Sequence, residues 1–323
     1  MSKAKEMENG QGLSVVLGAT GAIGSAVVYE LAKEKKKVRA VVRNEEKAKK
    51  LFKELEVEIV KADVMKEEEL EKAVEEAEII YHCINVIYTK WKELMPKINT
   101  NIVKVTEKTE ARLAFADNLY MYKPSEPMTE EHPLNATTRK GKIRIKMAEE
   151  ILVSHNEGKI NAVIARFSDF FGPNVTNKFA GPLFDNPLDN KAASWLADLE
   201  QPHSMTFIDD AARGLIAIAE DQESYGQVWH IPTDRPVTGK EFITMIFEEI
   251  GSEPKVKVMG KKMLTLLSII PIVRELKEMQ YEWDSPFIID GSKFNERYDF
   301  EPTSHKEAIK TTVKWFKEKN NGN

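Results

Sequence analysis

The sequence predicts an α/β fold: a doubly wound parallel sheet followed by a smaller, mixed α/β C-terminal lobe. Three features carry the prediction. Short apolar runs alternate with helical patterns through the first half of the chain, as strands joined by crossover helices do. The first run feeds directly into a glycine-rich turn that opens a helix. After about residue 167 the alternation loosens into chain punctuated by Pro and Gly between 172 and 202.

Leu13–Leu17 is the first strand, and Ala22–Glu34 is the helix after it. Val38–Val42 is the second strand. Asn44 then stands at an N-cap, with Glu45 and Glu46 against the positive helix end. Ala48, Leu51, Phe52 and Leu55 repeat at helical spacing. Val57–Val60 is a third strand, Leu70, Ala73, Val74 and Ala77 mark a helix, and Ile79–Ile84 is a fourth strand. A helix over 94–110, a strand Leu113–Ala116, a helix ending in Ala148–His155 and a strand Ile160–Ala165 complete the series. Right-handed crossovers place helices on both faces of such a sheet. In the second half, Asp209–Glu220 is a helix. Thr238–Glu241 and Ser304–Glu307 are capping boxes, and Gly251 is a C′ glycine. Met263–Val273 reads as a buried helix ended by Pro271. It lacks a strong polar face, which argues against a membrane-surface helix, and it is about half a membrane span.

Composition narrows the function. The 323 residues are 31% charged and 42% hydrophobic, which suits a globular protein with a sizeable core. A formal charge of −5 without a long basic run argues against nucleic acid as a partner. One cysteine, Cys83, excludes an internal disulfide and a multi-cysteine zinc site. The histidines (82, 132, 155, 203, 230 and 305) show no metal-ligand spacing, so no metal is expected. Met1–Gly12 is polar and mixed in charge, unlike a signal peptide. The expected location is therefore the cytoplasm, with no membrane partner.

Gly18-Ala19-Thr20-Gly21-Ala22-Ile23-Gly24 lies between the first strand and the first helix. Gly18 allows the tight turn, Gly21 lets backbone N–H groups approach a pyrophosphate, and Gly24 lets helix and strand pack closely. The helix N-terminus adds N–H donors and a partial positive charge. This is a Rossmann-type dinucleotide site. Residues 11–170 read as its domain and 171–319 as a substrate lobe, with parts of 206–235 returning to the first domain.

An NAD site commonly carries Asp or Glu at the end of the second strand, to hold the ribose 2′-hydroxyl. Here that position is Arg43, with Asn44 and Lys47 beside it. A guanidinium can bind a 2′-phosphate that a carboxylate would repel, so the expected cofactor is NADP, with NAD as the alternative. Asp63 and Val64 follow the third strand, where Asp63 can accept from the adenine amino group or cap the next helix. Asn85 follows the fourth strand, near the nicotinamide ribose. All these positions lie at carboxyl ends of strands.

The chain resembles the extended and atypical short-chain dehydrogenase/reductase superfamily, in its NAD-dependent epimerase/dehydratase branch. The glycine loop, Asp63 in KADV and HCIN 82–85 carry the likeness, with DNLYMY 117–122, RFSDFFGP 166–173, TFIDDAAR 206–213 and DGSK 290–293. It extends from about residue 13 to 317. The resemblance implies NAD(P)-linked chemistry on a carbonyl or hydroxyl compound. It also implies a homodimer through the helices over 94–110 and 140–157, although Lys92, Lys97, Lys104, Lys108, Arg139, Lys140, Lys142 and Arg144 crowd that surface. Redox members use a Ser or Thr, a Tyr, and a Lys four residues after the Tyr. No Tyr lies in Arg139–Glu150. Placing Lys146 at the lysine puts Lys142 at the tyrosine, and one register earlier gives Gly141 and Ile145.

Another group must then move the proton. Tyr120 and Tyr122 lie just past the fifth strand and would share a face in extended chain. A nearby Lys146 would lower a tyrosine pKa. Asp117 and Asn118 could bind substrate hydroxyls, and Asp169 could serve as a base or cap a loop. His203 precedes TFIDD and could enter the cleft, whereas His82 and Cys83 read as core. Tyr88, Trp91, Phe170, Phe171, Trp283 and Phe287 suggest a partly apolar pocket or a lobe interface. The reading favoured is an NADP-dependent oxidoreductase or epimerase acting on a small substrate with a non-standard acid/base. A catalytically silent dinucleotide sensor is the alternative, and an interaction protein that binds no nucleotide comes last.

Overall fold

The computed structural model describes residues 12–124, 127–177 and 180–322. The polar stretch 1–11, read above as no signal peptide, lies outside the described residues. The first half runs β1 (Leu13–Leu17), α1 (Ala22–Lys33), β2 (Lys37–Val42), α2 (Glu45–Leu51), β3 (Glu58–Lys61), α3 (Glu67–Ala73), β4 (Ala77–His82), α4 (Trp91–Thr106), β5 (Arg112–Asn118), α5 (Arg139–Asn156) and β6 (Asn161–Phe167). Then come β7 (Asp169–Phe171), α6 (Ala180–Leu188), β8 (Ala193–Leu196), β9 (Pro202–His203), β10 (Met205–Phe207), α7 (Ile208–Glu220), β11 (Val228–His230) and β12 (Val237–Thr238). The chain closes with α8 (Gly239–Ile250), β13 (Val256–Met259), α9 (Lys261–Leu266), α10 (Pro271–Glu278), α11 (Ser292–Arg297) and α12 (His305–Asn320).

Seven parallel strands form the main sheet in the order β11-β6-β5-β4-β1-β2-β3. The order reverses between β1 and β4, the switch point at which open α/β sheets bind ligands. Alternation along the strands feeds two cores. Val16, Ala40 and Val163 face α1 and α7, where Val27, Leu31 and Leu215 meet them. Val15, Leu17 and Phe115 face α4 and α5, where Ile98, Ile102, Met147 and Ile151 meet them.

A third core, with Phe171, Phe184, Trp195, Phe242 and Phe316, holds the C-terminal lobe. Its pairings are short: β7 with β10, β8 with β13, and β9 with β12. Within this half, β11 joins the main sheet beside β6, and α7 packs on α1. The N-cap bond of each expected capping box forms: Thr238 Oγ1 accepts from Glu241 N at 3.1 Å and Ser304 Oγ from Glu307 N at 3.4 Å. Gly251 ends α8 at φ 80°, in the left-handed region.

One element differs from expectation. Met263–Val273 is neither one helix nor buried. Pro271 opens α10 at its first turn, where the missing N–H costs nothing, instead of ending a helix. Leu264 is anchored in the core, whereas Leu266 and Ile269 are 76% and 86% exposed. Apolar composition marks burial only where a partner element covers the run, and here the core covers Leu264 and leaves Leu266 and Ile269 out.

Two buried histidines set an acid limit on stability. His230 Nδ1 donates to Met128 O at 3.0 Å, and its Nε2 accepts from the Tyr122 hydroxyl at 3.0 Å. Burial, with Arg166 near His230 and Arg144 near His82, pushes both imidazoles down to about 3. The unfolded chain takes up these protons near pH 6.5 and the folded chain does not. Stability is therefore full above that pH and falls as pH drops toward 3. Each histidine contributes a slope of about 1.4 kcal/mol per pH unit between those values. Urea unfolding at pH 7 and pH 5 checks this, and His230→Gln is expected to make the difference smaller.

Candidate functional site

The carboxyl ends of β1 to β6 lie along one edge and carry most of the residues singled out in the sequence. Gly18 adopts φ 81°, and a Cβ there would lie 3.0 Å from Ile84 Cγ1. A Cβ on Gly24 would overlap the Gly18 carbonyl oxygen, so helix and strand need glycine to pack. At Gly21 the same atom meets only Gly18 O, at 3.2 Å, and otherwise open space. Gly21 is exposed and is the N-cap of α1, and no side chain caps that helix end. Thr20 and Ala22 are partly exposed beside it, and Ile23 is buried beneath. An anion can approach this helix end.

Arg43 is exposed immediately past β2, and Asn44 caps α2 by accepting from Lys47 N at 2.9 Å. Lys47 Nζ donates to Thr20 O at 2.9 Å, which ties α2 to the glycine loop and adds a cation beside Arg43. Asp63 does not cap α3, whose N-cap is Lys66. Its Oδ1 accepts from Met65 N at 3.0 Å. Val64 is buried, and its carbonyl accepts from Asn101 Nδ2 at 3.1 Å. Asn85 is exposed past β4. From the second half, Asn174 Nδ2 reaches Ser25 Oγ at 2.9 Å and Gly21 O at 3.3 Å.

The two tyrosines part company. Tyr122 N donates to Leu119 O at 3.0 Å and Tyr120 N to Asn118 Oδ1 at 3.2 Å, so the chain turns after β5 and the rings do not share a face. Tyr122 is buried, and its hydroxyl sits between Arg166 and His230. Tyr120 turns the other way, where its hydroxyl lies 2.7 Å from that of Tyr88. Both rings pack on Trp91, which is buried and donates to Val86 O at 2.8 Å, so Trp91 supports the pair from below. Neither expected tyrosine has a lowered pKa. Burial pushes both up, and for Tyr120 the neighbouring Tyr88, Glu282 and Asp169 add to it. Lys146 is exposed and does not face them.

The inward cations of α5 are Lys140 and Arg144, spaced four apart on the face that continues through Met147, Ala148 and Ile151. A Cβ on Gly141 would overlap Tyr120 O, so glycine brings this helix start against the tyrosine turn. Lys140 Nζ lies 4.8 Å from the Tyr88 ring centroid and donates to Glu275 Oε2 at 2.5 Å and Glu278 Oε2 at 2.8 Å. Arg144 stacks on Trp91 at 4.7 Å and pairs with Asp117 at 3.4 Å. Asp117 also pairs with Arg166 at 3.4 Å, and burial still outweighs both arginines and raises its pKa. Two guanidiniums thus face one buried carboxylate. Arg144 Nε and Nη1, Asp117 Oδ1, His82 Nε2 and Ser168 Oγ are buried without a hydrogen-bond partner among the described residues. Such groups are costly unless a polar ligand meets them.

The second half completes the site. Asp169 Oδ2 lies 3.0 Å from His203 Nε2, and His203 stacks flat on Trp283 at 4.0 Å. Glu282 is buried, and burial together with Asp169 pushes its carboxyl well above the usual range. The Tyr281 hydroxyl lies 3.2 Å from Glu282 Oε1 and 3.3 Å from Tyr120 O. Phe171 belongs to the C-terminal core, whereas Phe170 is only partly buried. Lys140, Arg144, Tyr281 and Glu282 were missed in the sequence. The i, i+4 cations could have been found by moving the helix register two positions back. The segments TFIDDAAR and DGSK clamp the lobe: Asp210 accepts from Thr303 N at 2.7 Å, and Lys293 donates to Val228 O at 2.8 Å. Among the described residues no cluster of three or more His, Cys, Asp or Glu is arranged to hold a metal. No described helix is long and apolar enough to cross a membrane.

Comparison with known proteins agrees with this fold. The profile of the NAD dependent epimerase/dehydratase family matches residues 14–231. No curated protein matches the sequence. Among solved structures, a dTDP-glucose 4,6-dehydratase from Bacillus anthracis in complex with NAD superposes with a TM-score of 0.81 at 16% identity, covering 96% of this chain and 98% of that one. A UDP-glucuronic acid 4-epimerase from Bacillus cereus, in complex with UDP-glucuronic acid and NAD, gives 0.79 at 18% identity, with 95% and 99% covered. An epimerase from Methanothermobacter thermautotrophicus gives 0.82 at 17% identity, with 97% and 94% covered. At these identities the likeness is one of fold.

Proposed function

Because the chain belongs to the NAD dependent epimerase/dehydratase family, we propose that it is an NADP-dependent oxidoreductase or epimerase for a small, partly apolar carbonyl or hydroxyl compound. The observation that carries the reading is the Tyr88–Tyr120 hydroxyl pair at the carboxyl end of the sheet, beside an intact glycine loop. Gly18 to Gly24 would hold the pyrophosphate, with Arg43 and Lys47 at a 2′-phosphate and Asp63 at the adenine. Asn85 and Arg144, whose buried Nε has no hydrogen-bond partner among the described residues, would meet the nicotinamide ribose. When bound, the cofactor supplies or accepts hydride at nicotinamide C4.

This chain's residues do the rest. Tyr120, neutral at pH 7, donates its hydroxyl proton to the substrate oxygen as negative charge develops there. Tyr88 donates a hydrogen bond to the oxygen left behind. Tyr122, Lys146 and Asp117 fall outside this relay, since Tyr122 and Asp117 are engaged by Arg166 and Lys146 faces away. Asp169 and His203, with Asn118, orient substrate hydroxyls. Charge also bears on the substrate class: the Asp169 carboxylate, 3.0 Å from His203, opposes an anionic group in this part of the cleft. That favours an uncharged reacting end. Two of the solved structures named above are a dTDP-glucose 4,6-dehydratase and a UDP-glucuronic acid 4-epimerase, and a neutral sugar or ketone moiety suits this end of the site. A homodimer through α4 and α5 belongs to the same reading.

A silent dinucleotide sensor is the second reading, favoured by the buried Lys140–Glu275–Glu278 network that fills the start of α5. Loss of reduced-nicotinamide absorbance across ketones, enones, quinones and keto-sugars tests the first reading, with Arg43→Asp as its cofactor control. The wild type is expected to prefer NADPH. Arg43→Asp is expected to weaken NADPH by about tenfold to a hundredfold and to spare NADH. Tight binding with no turnover of any compound would establish the sensor instead.

A further inference from the structure

We propose that the projection formed by α9 and α10 docks this protein on an anionic membrane surface. Five of the nine large apolar side chains that are exposed among the described residues fall between 256 and 270: Val256, Val258, Leu266, Ile269 and Ile270. Leu264 roots α9 in the C-terminal core, so Leu266 and the Leu267–Ile270 turn stand out from the lobe. Exposed cations flank them: Lys261 and Lys262 before the turn, and Arg274 and Lys277 after it.

The charge is one-sided in a chain whose formal total is −5. Glu275 and Glu278 of α10 turn inward to Lys140 and Arg139. Lys261 pairs with Asp284 at 2.9 Å, and no carboxylate among the described residues pairs with Lys262, Arg274 or Lys277. The run shows no polar face in the sequence because its cations flank the apolar side chains instead of alternating with them. An apolar tip ringed by cations suits insertion at the headgroup boundary of a leaflet rich in acidic lipids. A symmetric contact with a second copy would press the same cations together, and that is unfavourable. The chain runs from α10 straight to Tyr281 and Glu282, so docking would hold the candidate site next to the bilayer. Docking of this kind needs neither the cofactor nor the tyrosine pair.

Co-sedimentation of the full chain with phosphatidylcholine vesicles, with and without phosphatidylserine, tests this. Binding is expected only with phosphatidylserine at low salt, and is expected to weaken as salt rises. Leu266→Ser/Ile269→Ser and, separately, Lys262→Glu/Arg274→Glu/Lys277→Glu are each expected to lower the bound fraction constant by about tenfold or more. All five positions are exposed, and a circular-dichroism melt confirms folding of each variant, so either set can serve if the other misfolds. No binding to phosphatidylserine vesicles, or equal binding by wild type and both variants, would overturn the proposal. Lipid-free self-association that both variants abolish would overturn it too, and would give the surface to a second copy of the chain.

Discussion

Replacing Tyr120 with Phe is expected to lower turnover by about a hundredfold to ten-thousandfold, the usual contribution of a positioned acid, while cofactor affinity stays unchanged. The ring keeps its packing on Trp91, and only the hydroxyl that faces Tyr88 at 2.7 Å is removed. Tyr88→Phe removes the partner and is expected to have a smaller effect, because the donor itself remains. Tyr122→Phe separates the two tyrosines. Its hydroxyl serves Arg166 and His230, so the loss should appear in stability and leave the pH dependence of turnover alone. Steady-state kinetics beside urea unfolding distinguish these outcomes. Equal turnover in wild type and Tyr120→Phe would remove the tyrosine from the chemistry.

Gly24→Val carries the second large effect. Its Cβ would overlap the Gly18 carbonyl oxygen, and backbone cannot yield as a flexible side chain can. The variant is expected to lose about 3 kcal/mol of stability and all measurable dinucleotide binding. Gly21→Ala is the contrasting case. There the added methyl has one close neighbour, Gly18 O at 3.2 Å, and otherwise enters the space a pyrophosphate would occupy. It is expected to fold normally and to bind cofactor more weakly. Thermal unfolding with and without NADPH reads both effects, since a ligand that binds only the folded state raises the midpoint.

The sheet was legible because each of its signals is local. Apolar runs such as Leu13–Leu17, the Asn44 cap and the boxes at Thr238 and Ser304 need only their own neighbours. The cofactor half was legible for the same reason: turn geometry and strand-end position follow from sequence order. The chemistry was harder to read. Helix α5 carries cations on every side, among them Arg139, Lys140, Lys142, Arg144 and Lys146, so its pattern does not fix which face turns inward. Burial decides that, and it selects Lys140 and Arg144. The direction of the Tyr120 pKa shift also depends on long-range packing, with Glu282 and Asp169 arriving from distant segments. The projection at 266–270 failed in the opposite sense. Its composition is that of a core, and only the tertiary arrangement leaves it uncovered.

The central claim is that this edge of the sheet binds a phosphorylated dinucleotide. Calorimetric titration of the purified protein with NADPH and then NADH tests it most directly. Saturable binding of one NADPH per chain is expected, with weaker binding of NADH and a shift toward NADH in Arg43→Asp. No heat and no saturation with either dinucleotide would contradict it, and the glycine loop would then serve the fold alone.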